Sequence, residues 1–242
     1  MIDFVTILRD AYYCFPDIQE FVNHRYQGTE AKMNIERSVV KYLTTPEDLH
    51  FYPYGTEILY QVIWEYRFDD IKPTDVVLDL GANIGGFSLR AAKLAKHVYA
   101  VEPLFVNELA ANIELNNLQD KITVLPFGVG SGEKIRIHYF GTEHIVQTYP
   151  LSKILEMTGK IDFMKCDIEG AEWTINPEDI ADIPRMEFEV HQGRDSCMPE
   201  KPGLLDFIRE NWNTSTNEKR RGNPGCYIHA YPKNCEKNNR KI

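Results

Sequence analysis

Lys165, Asp167, Glu169, Glu172, Glu189 and His191 are the residues of this chain whose types and spacing could do chemistry. Lys165 and Asp167 fall on the apolar stretch Ile161-Asp-Phe-Met-Lys-Cys-Asp167, with Glu169 and Glu172 just past it, and Glu189 and His191 on Arg185-Met-Glu-Phe-Glu-Val-His191; the two stretches read as the fourth and fifth strands of a sheet. Residues 165, 167 and 169 alternate onto one face of an extended segment, and Glu189 and His191 share a face of the next strand. Charges on a covered sheet face are costly unless paired. At strand ends such a cluster points to a functional edge. It offers a general base, His191 by its ordinary pKa or else Asp167. Lys165 is expected to pair with Asp167 or Glu189 and hold the carboxylates. Asp167, Glu189 and His191 are also hard-ligand types that could hold Mg²⁺. Nothing in their spacing demands it, so a divalent metal stays unassigned.

A second constellation lies upstream. Val76, Val77, Leu78 and Leu80 form the apolar run of a strand covered on both faces. The turn Gly81-Ala-Asn-Ile-Gly85 follows, then helical spacing through Phe87, Leu89 and Leu94. His97-Val-Tyr-Ala-Val101 is a second strand and ends in Glu102-Pro103. An acid about 20 residues past a glycine turn can accept hydrogen bonds from both hydroxyls of a ribose. An adenosine-type cofactor is therefore expected at the carboxyl edge of a parallel sheet, with Gly81, Gly85 and Gly86 letting backbone approach it. The turn is not that of a dinucleotide site, because Asn83 replaces the middle glycine. Asp79 would repel a pyrophosphate but suit the ammonium of a methionine moiety. This D-x-G-x-x-x-G pattern is that of class I S-adenosylmethionine (SAM) methyltransferases. The expected cofactor-binding set is Asp79, Gly81, Ala82, Asn83, Gly85, Glu102, Pro103, Phe127, Gly128 and Asp167. Phe127 leaves the third strand where adenine would lie, and reads equally well as core.

The elements that must position these residues alternate strand and helix from Asp75 onward, the βαβ signature of a parallel sheet. Strands are expected at 75–80, 97–101, 122–126, 161–167 and 185–191. Helices are expected at 105–117, 151–155 and 202–212, and a β-ribbon near 134–140. Late strands near 214–219 and 226–231 should form an antiparallel edge hairpin. Residues 1–70 differ, with helical spacing expected over Ile35–Leu43 and over 56–67, where Tyr66 shares an apolar side with Ile58, Leu59, Val62 and Ile63. They read as a helical extension or lid, with residues 1–50 covering the acceptor site. Tyr52-Pro-Tyr-Gly-Thr-Glu57 is a turn that could touch cofactor or acceptor. Residues 71–232 form the cofactor-binding domain, and 233–242 a polar tail.

The third motif is Phe163-Met-Lys-Cys-Asp-Ile-Glu-Gly-Ala-Glu-Trp173. Together with Asp79-Leu-Gly-Ala-Asn-Ile-Gly-Gly-Phe-Ser88 and Val101-Glu-Pro103, it closely resembles the FkbM family of SAM-dependent methyltransferases. The resemblance covers roughly residues 54–191. It implies an α/β, Rossmann-like class I methyltransferase fold with a mostly parallel seven-stranded sheet, and O-methylation of a small-molecule or glycan hydroxyl. Two rivals are an RNA methyltransferase and a non-catalytic SAM-binding protein. A net charge of −9 over 242 residues argues against nucleic acid, because phosphate binding needs clustered Lys and Arg. Five scattered cysteines without a C-x-x-C pair fit free thiols in a reducing compartment. With neither a signal-peptide pattern nor a long apolar run, a cytoplasmic protein with no membrane span is expected. Oligomeric state is not legible in the sequence.

Overall fold

A computed structural model describes residues 42–52, 66–139, 142–191, 203–216 and 227–233. The expectations for residues 1–41 and for the turn at 53–57 fall outside this set, as does most of the helix expected over 56–67; Tyr66 and Arg67, at its end, are not helical.

The first of the described elements is a short hairpin, β1 (Leu43–Thr44) and β2 (His50–Phe51). The helix expected over Ile35–Leu43 is corrected at its end, since Leu43 lies in a strand and pairs with Phe51. The reason is local. Pro46 cannot continue a helix, Asp48 takes a left-handed φ of 58°, and the Thr45 amide bonds the Leu49 carbonyl at 2.8 Å. The βαβ run then follows as β3 (Val76–Leu80), α1 (Gly86–Leu94), β4 (His97–Val101), α2 (Val106–Leu115) and β5 (Ile122–Leu125). After β6 (Gly128–Val129), β7 (Lys134–Tyr139) and β8 (Thr142–Tyr149) form a small side sheet in the order β6-β8-β7. The partner strand β8 is absent from the sequence reading. Helix α3 (Leu151–Thr158) is longer than expected. The remaining elements are β9 (Phe163–Cys166), β10 (Met186–Glu189), α4 (Leu204–Asn211), β11 (Trp212–Thr216) and β12 (Tyr227–Pro232).

The main sheet has seven strands in the order β11-β12-β10-β9-β3-β4-β5. The five from β10 to β5 run parallel, and β12 and β11 add the antiparallel edge. The chain runs from β3 outward to β5, then crosses to the other side of β3 to build β9 and β10. The reversal at β3 creates the crevice in which such sheets hold ligands, beyond their carboxyl ends.

Alternation along each strand divides the core. Val77, Val98, Ala100 and Phe163 face a layer containing Phe87, Leu89 and Leu109. Leu78, Leu80, Met164, Phe188 and Ala230 face the layer of Ile154, Trp173 and Ile208. A polar row crosses the first face: strand register sets Asp79 beside Lys165, Lys165 beside Glu187, and Glu187 beside His229. Within it His229 Nδ1 lies 2.5 Å from Glu187 Oε1. Burial pushes the Glu187 carboxyl above its usual range, and His229 partly offsets this.

The β1–β2 hairpin is tied to this frame by Asn112 on α2 and Asn116 at its C-terminal cap. Asn116 Oδ1 accepts from the His50 amide at 2.8 Å, and its Nδ2 donates to the His50 carbonyl. Asn112, fully buried, accepts from the Tyr52 amide at 2.9 Å and donates to the Ile84 carbonyl at 2.9 Å. Asn112 thus links the hairpin to the turn after β3. Replacing it with Ala leaves the buried Ile84 carbonyl without this donor, and should cost about 1–3 kcal/mol. Urea unfolding checks this: the midpoint should fall with the slope unchanged.

Candidate active site

Lys165 organises the edge. Its ammonium is buried and lies 3.3 Å from Asp79 Oδ1 and 3.5 Å from Asp167 Oδ2. It also donates to the Gly81 carbonyl at 2.6 Å and reaches the Leu80 carbonyl at 3.4 Å. Burial works to lower its pKa, but Asp79 and Asp167 outweigh that and hold it above the usual lysine range. Lys165 therefore bridges the ends of β3 and β9. Its expected pairing with Asp167 is present, and its other partner is Asp79.

Asp79 is the buried partner of Lys165 at the end of β3. Its side chain is 0% exposed, and Oδ2 accepts from Ser88 Oγ at 2.6 Å. Burial raises its pKa, while Lys165 and Ser88 oppose the rise. It stands beneath the turn, joined to α1 through Ser88 and to β9 through Lys165.

The glycines of the turn have an internal reason. A Cβ on Gly81 would sit 1.8 Å from the Asp167 carbonyl oxygen, and φ is +81°. A Cβ on Gly85 would sit 2.4 Å from Leu89 and 2.9 Å from Leu109, at φ +99°. At both positions the missing Cβ makes room for a close approach of protein to protein. Between them Asn83 adopts φ 50°, a region asparagine tolerates, and its Oδ1 accepts from the Ile84 amide at 2.8 Å.

Glu102 stands at the end of β4, 5% exposed. Its Oε2 accepts from the Asn83 amide at 2.8 Å, and Oε1 from the Leu104 and Phe105 amides at 2.6 and 3.0 Å. Burial raises its pKa, and those three amides oppose the rise. Pro103 follows, close to Gly128. The Phe127 ring lies in the core, 4.8 Å from Tyr149 in an edge-to-face contact, so the core reading of Phe127 is the one the packing supports.

The segment after β9 folds around His191. Glu169 and Gly170 take left-handed φ values of 55° and 99°, turning the chain into the 3-10 turn Ala171–Thr174. Glu169 therefore leaves the strand face on which alternation set it. The turn buries Glu172, which accepts from the His191 amide at 2.6 Å and the Gly170 amide at 2.8 Å. Trp173 Nε1 donates to the His191 carbonyl at 2.8 Å. His191 Nδ1 lies 3.2 Å from Glu172, while Nε2 faces Glu169 at 3.6 Å, Glu189 at 3.8 Å and Asp167 at 3.9 Å. Burial would lower its pKa, but the Glu172 hydrogen bond and the surrounding carboxylates raise it to about 9. The surrounding carboxylates thus favour the protonated form of His191. Asp167, Glu169 and His191 offer atoms within 4.8 Å of one another, yet ligation needs a neutral imidazole. A metal ion held there would take the place of the imidazole proton within the same ring of carboxylates.

Tyr66 is the site residue that the sequence reading missed. In the sequence it is one more apolar position on a helix face, and its hydroxyl leaves no signal of its own. That hydroxyl lies 2.8 Å from Asp167 Oδ2 and 3.0 Å from Glu189 Oε2.

The FkbM methyltransferase domain matches residues 79–211, more than half of the chain. The chain belongs to the FkbM methyltransferase family. Two curated relatives of this FkbM chain, each an uncharacterized RNA methyltransferase, are 35% identical in Oceanobacillus iheyensis and 38% identical in Listeria innocua. Both matches run over 85 residues, 34% of this chain and 17% of the relative, so the chain spans about a sixth of their length. Among solved structures, an rRNA methylase of Streptococcus thermophilus has TM-score 0.46 at 9% identity, covering 67% of this chain and 89% of that one. A dimethyladenosine transferase of Plasmodium falciparum has TM-score 0.43 at 13% identity, covering 79% and 63%. Among the described residues of this FkbM chain, no helix is long and apolar enough to cross a membrane.

The charge on His191 has a signature in stability. Its folded pKa of about 9 exceeds the ordinary 6.5. The contribution is therefore complete below about 6.5 and is lost as pH rises through about 9. Urea midpoints of the wild type should fall over that window more steeply than those of His191→Gln. Following the imidazole ring protons by NMR should give the same midpoint directly.

Proposed function

We propose that this FkbM chain transfers a methyl group from SAM to a hydroxyl of a small molecule or glycan. One observation carries the reading: three adjacent parallel strands deliver the Gly81 turn, Glu102 and Asp167 to one edge, where the chain reverses across the sheet. Bound there, SAM would supply an electrophilic methyl group on a sulfonium.

The residues present fit that cofactor. Glu102 already accepts three backbone amides. A carboxylate offers about four lone-pair directions, so capacity remains for a ribose hydroxyl, and the amides hold the group in place. The turn through Ala82 and Asn83 lines the same edge, with Pro103 and Gly128 beside Glu102. Carboxylates are also the right charge to face a sulfonium and an ammonium. In this reading Asp167, 25% exposed and at the junction of β9 with the turn, takes the acceptor's proton. Lys165 holds Asp167 in place, and the His191 imidazolium offsets the charge of Asp167 and Glu189. Residues ahead of β3 would complete the acceptor side.

A second reading, methylation of RNA, is favoured by the names of the two curated relatives. The acidic edge and the net charge of −9 weigh against it, since polyphosphate backbones call for cationic grooves. Filter binding with tRNA and rRNA fragments under a salt titration separates the two. Affinity that falls steeply with salt would favour RNA.

Incubating the protein with methyl-labelled SAM and a metabolite extract should yield a labelled, mass-shifted acceptor. Asp167→Asn should lower that turnover about 10²–10⁴-fold, the usual worth of a general base, while calorimetry shows SAM affinity little changed. The wild-type pH–rate profile should lack a limb near 6.5, because His191 stays charged to about 9. SAM that neither binds nor turns over would remove the proposal.

A further inference from the structure

Tyr66 precedes the segment matched by the family domain, which begins at residue 79. Its side chain nevertheless enters the centre of the acidic edge. The residue is 5% exposed. Its ring stands edge-on to Phe87, with centroids 5.7 Å apart at 83°, and to Tyr227, 5.8 Å apart at 70°. The Lys165 ammonium lies 5.4 Å from the ring centroid. The phenol oxygen lies between Asp167 Oδ2 at 2.8 Å and Glu189 Oε2 at 3.0 Å.

These two carboxyls come from neighbouring parallel strands, β9 and β10, and two like charges that close repel. Lys165 pulls on Asp167 from one side, and His191 faces both carboxyls from the other. Glu169 and Glu172 add negative charge around His191, and Asp79 lies behind Lys165. Among these groups Tyr66 contributes a neutral hydroxyl within hydrogen-bond distance of both carboxyls. A phenol has one hydrogen, so it is shared between the two carboxyls or passes from one to the other, while its oxygen, packed at 2.8 and 3.0 Å from them, sets their spacing. Burial raises its own pKa, and the two carboxylates raise it further, so the hydroxyl keeps its hydrogen.

We infer that Tyr66 is a positioning residue: its hydroxyl holds Asp167 and Glu189 at a set spacing on the acceptor side of the site. This rests on the methyl-transfer reading above. It makes a residue outside the matched family segment part of the machinery, so chains that share the β3–β10 core can place the same two carboxyls differently.

The decisive measurement does not need the acceptor. A buried phenol proton bonded to carboxylate should give a downfield, slowly exchanging NMR resonance. It should vanish in Tyr66→Phe and move in both Asp167→Asn and Glu189→Gln. A wild-type spectrum with no such resonance, or one indifferent to both carboxyl substitutions, overturns the inference. With the acceptor found by the labelling screen, Tyr66→Phe should lower turnover about 10–100-fold, the scale of a misplaced reacting group. Its SAM affinity should stay near wild type. The loss should not add to that of Asp167→Asn, as expected for residues acting through one another. Wild-type turnover in Tyr66→Phe, or losses that simply add, overturns it too. If the wild type methylates nothing, the methyl-transfer reading fails, and the resonance alone decides whether Tyr66 spans the two carboxyls.

Discussion

The buried ammonium of Lys165 is the constraint on which the edge depends. It sits between two carboxylates on adjacent strands and takes the carbonyls that end β3 as further acceptors. Burying such a pair is expensive, and a well-packed apolar pair would often be as stable. Removing one partner is far worse, about 3–5 kcal/mol, because an uncompensated charge is left inside. The interaction is better understood as a spacer than as glue. It fixes the end of β3 against the end of β9, and so fixes where the Gly81 turn meets Asp167.

Much of the surrounding design follows from that contact. Gly81 must lack a side chain because the Asp167 carbonyl occupies its place. Asp79 is covered and balances Lys165, and Ser88 on α1 donates a hydrogen bond to its Oδ2. Asn83 and Glu102 are joined through backbone amides before any ligand arrives. Groups held in this way need no rearrangement on binding, which is the physical content of preorganisation.

Charge gives the edge its character. The carboxyls of Asp79, Asp167, Glu169, Glu172 and Glu189 surround two cations, Lys165 and His191. Both cations are consumed in holding carboxyls in position, so the field presented outward is negative. Such a field attracts cationic ligands and opposes phosphate. It also explains why His191 cannot behave as an ordinary imidazole: each neighbouring carboxylate favours its proton.

The parallel sheet, the glycine turn, Glu102 and the 165–172 motif were legible in the sequence, because apolar runs and glycine spacing are local patterns that survive without coordinates. The antiparallel edge was legible for the same reason. The hairpin at Leu43–Phe51 was not, since four strand residues leave no period to detect. Strand β8 was missed because its exposed residues alternate weakly. Residue types gave the members of the acidic cluster but not their protonation, which for His191 depends on Glu172 folding back through a left-handed turn. Nor could they reveal that Asp79 is sealed in or that Tyr66 spans two strands. Sequence by itself determined which elements form and which chemistry gathers at their ends. Only the tertiary structure decided which of those groups face outward and which are consumed in holding the others, because burial and charge pairing act between residues far apart in the chain.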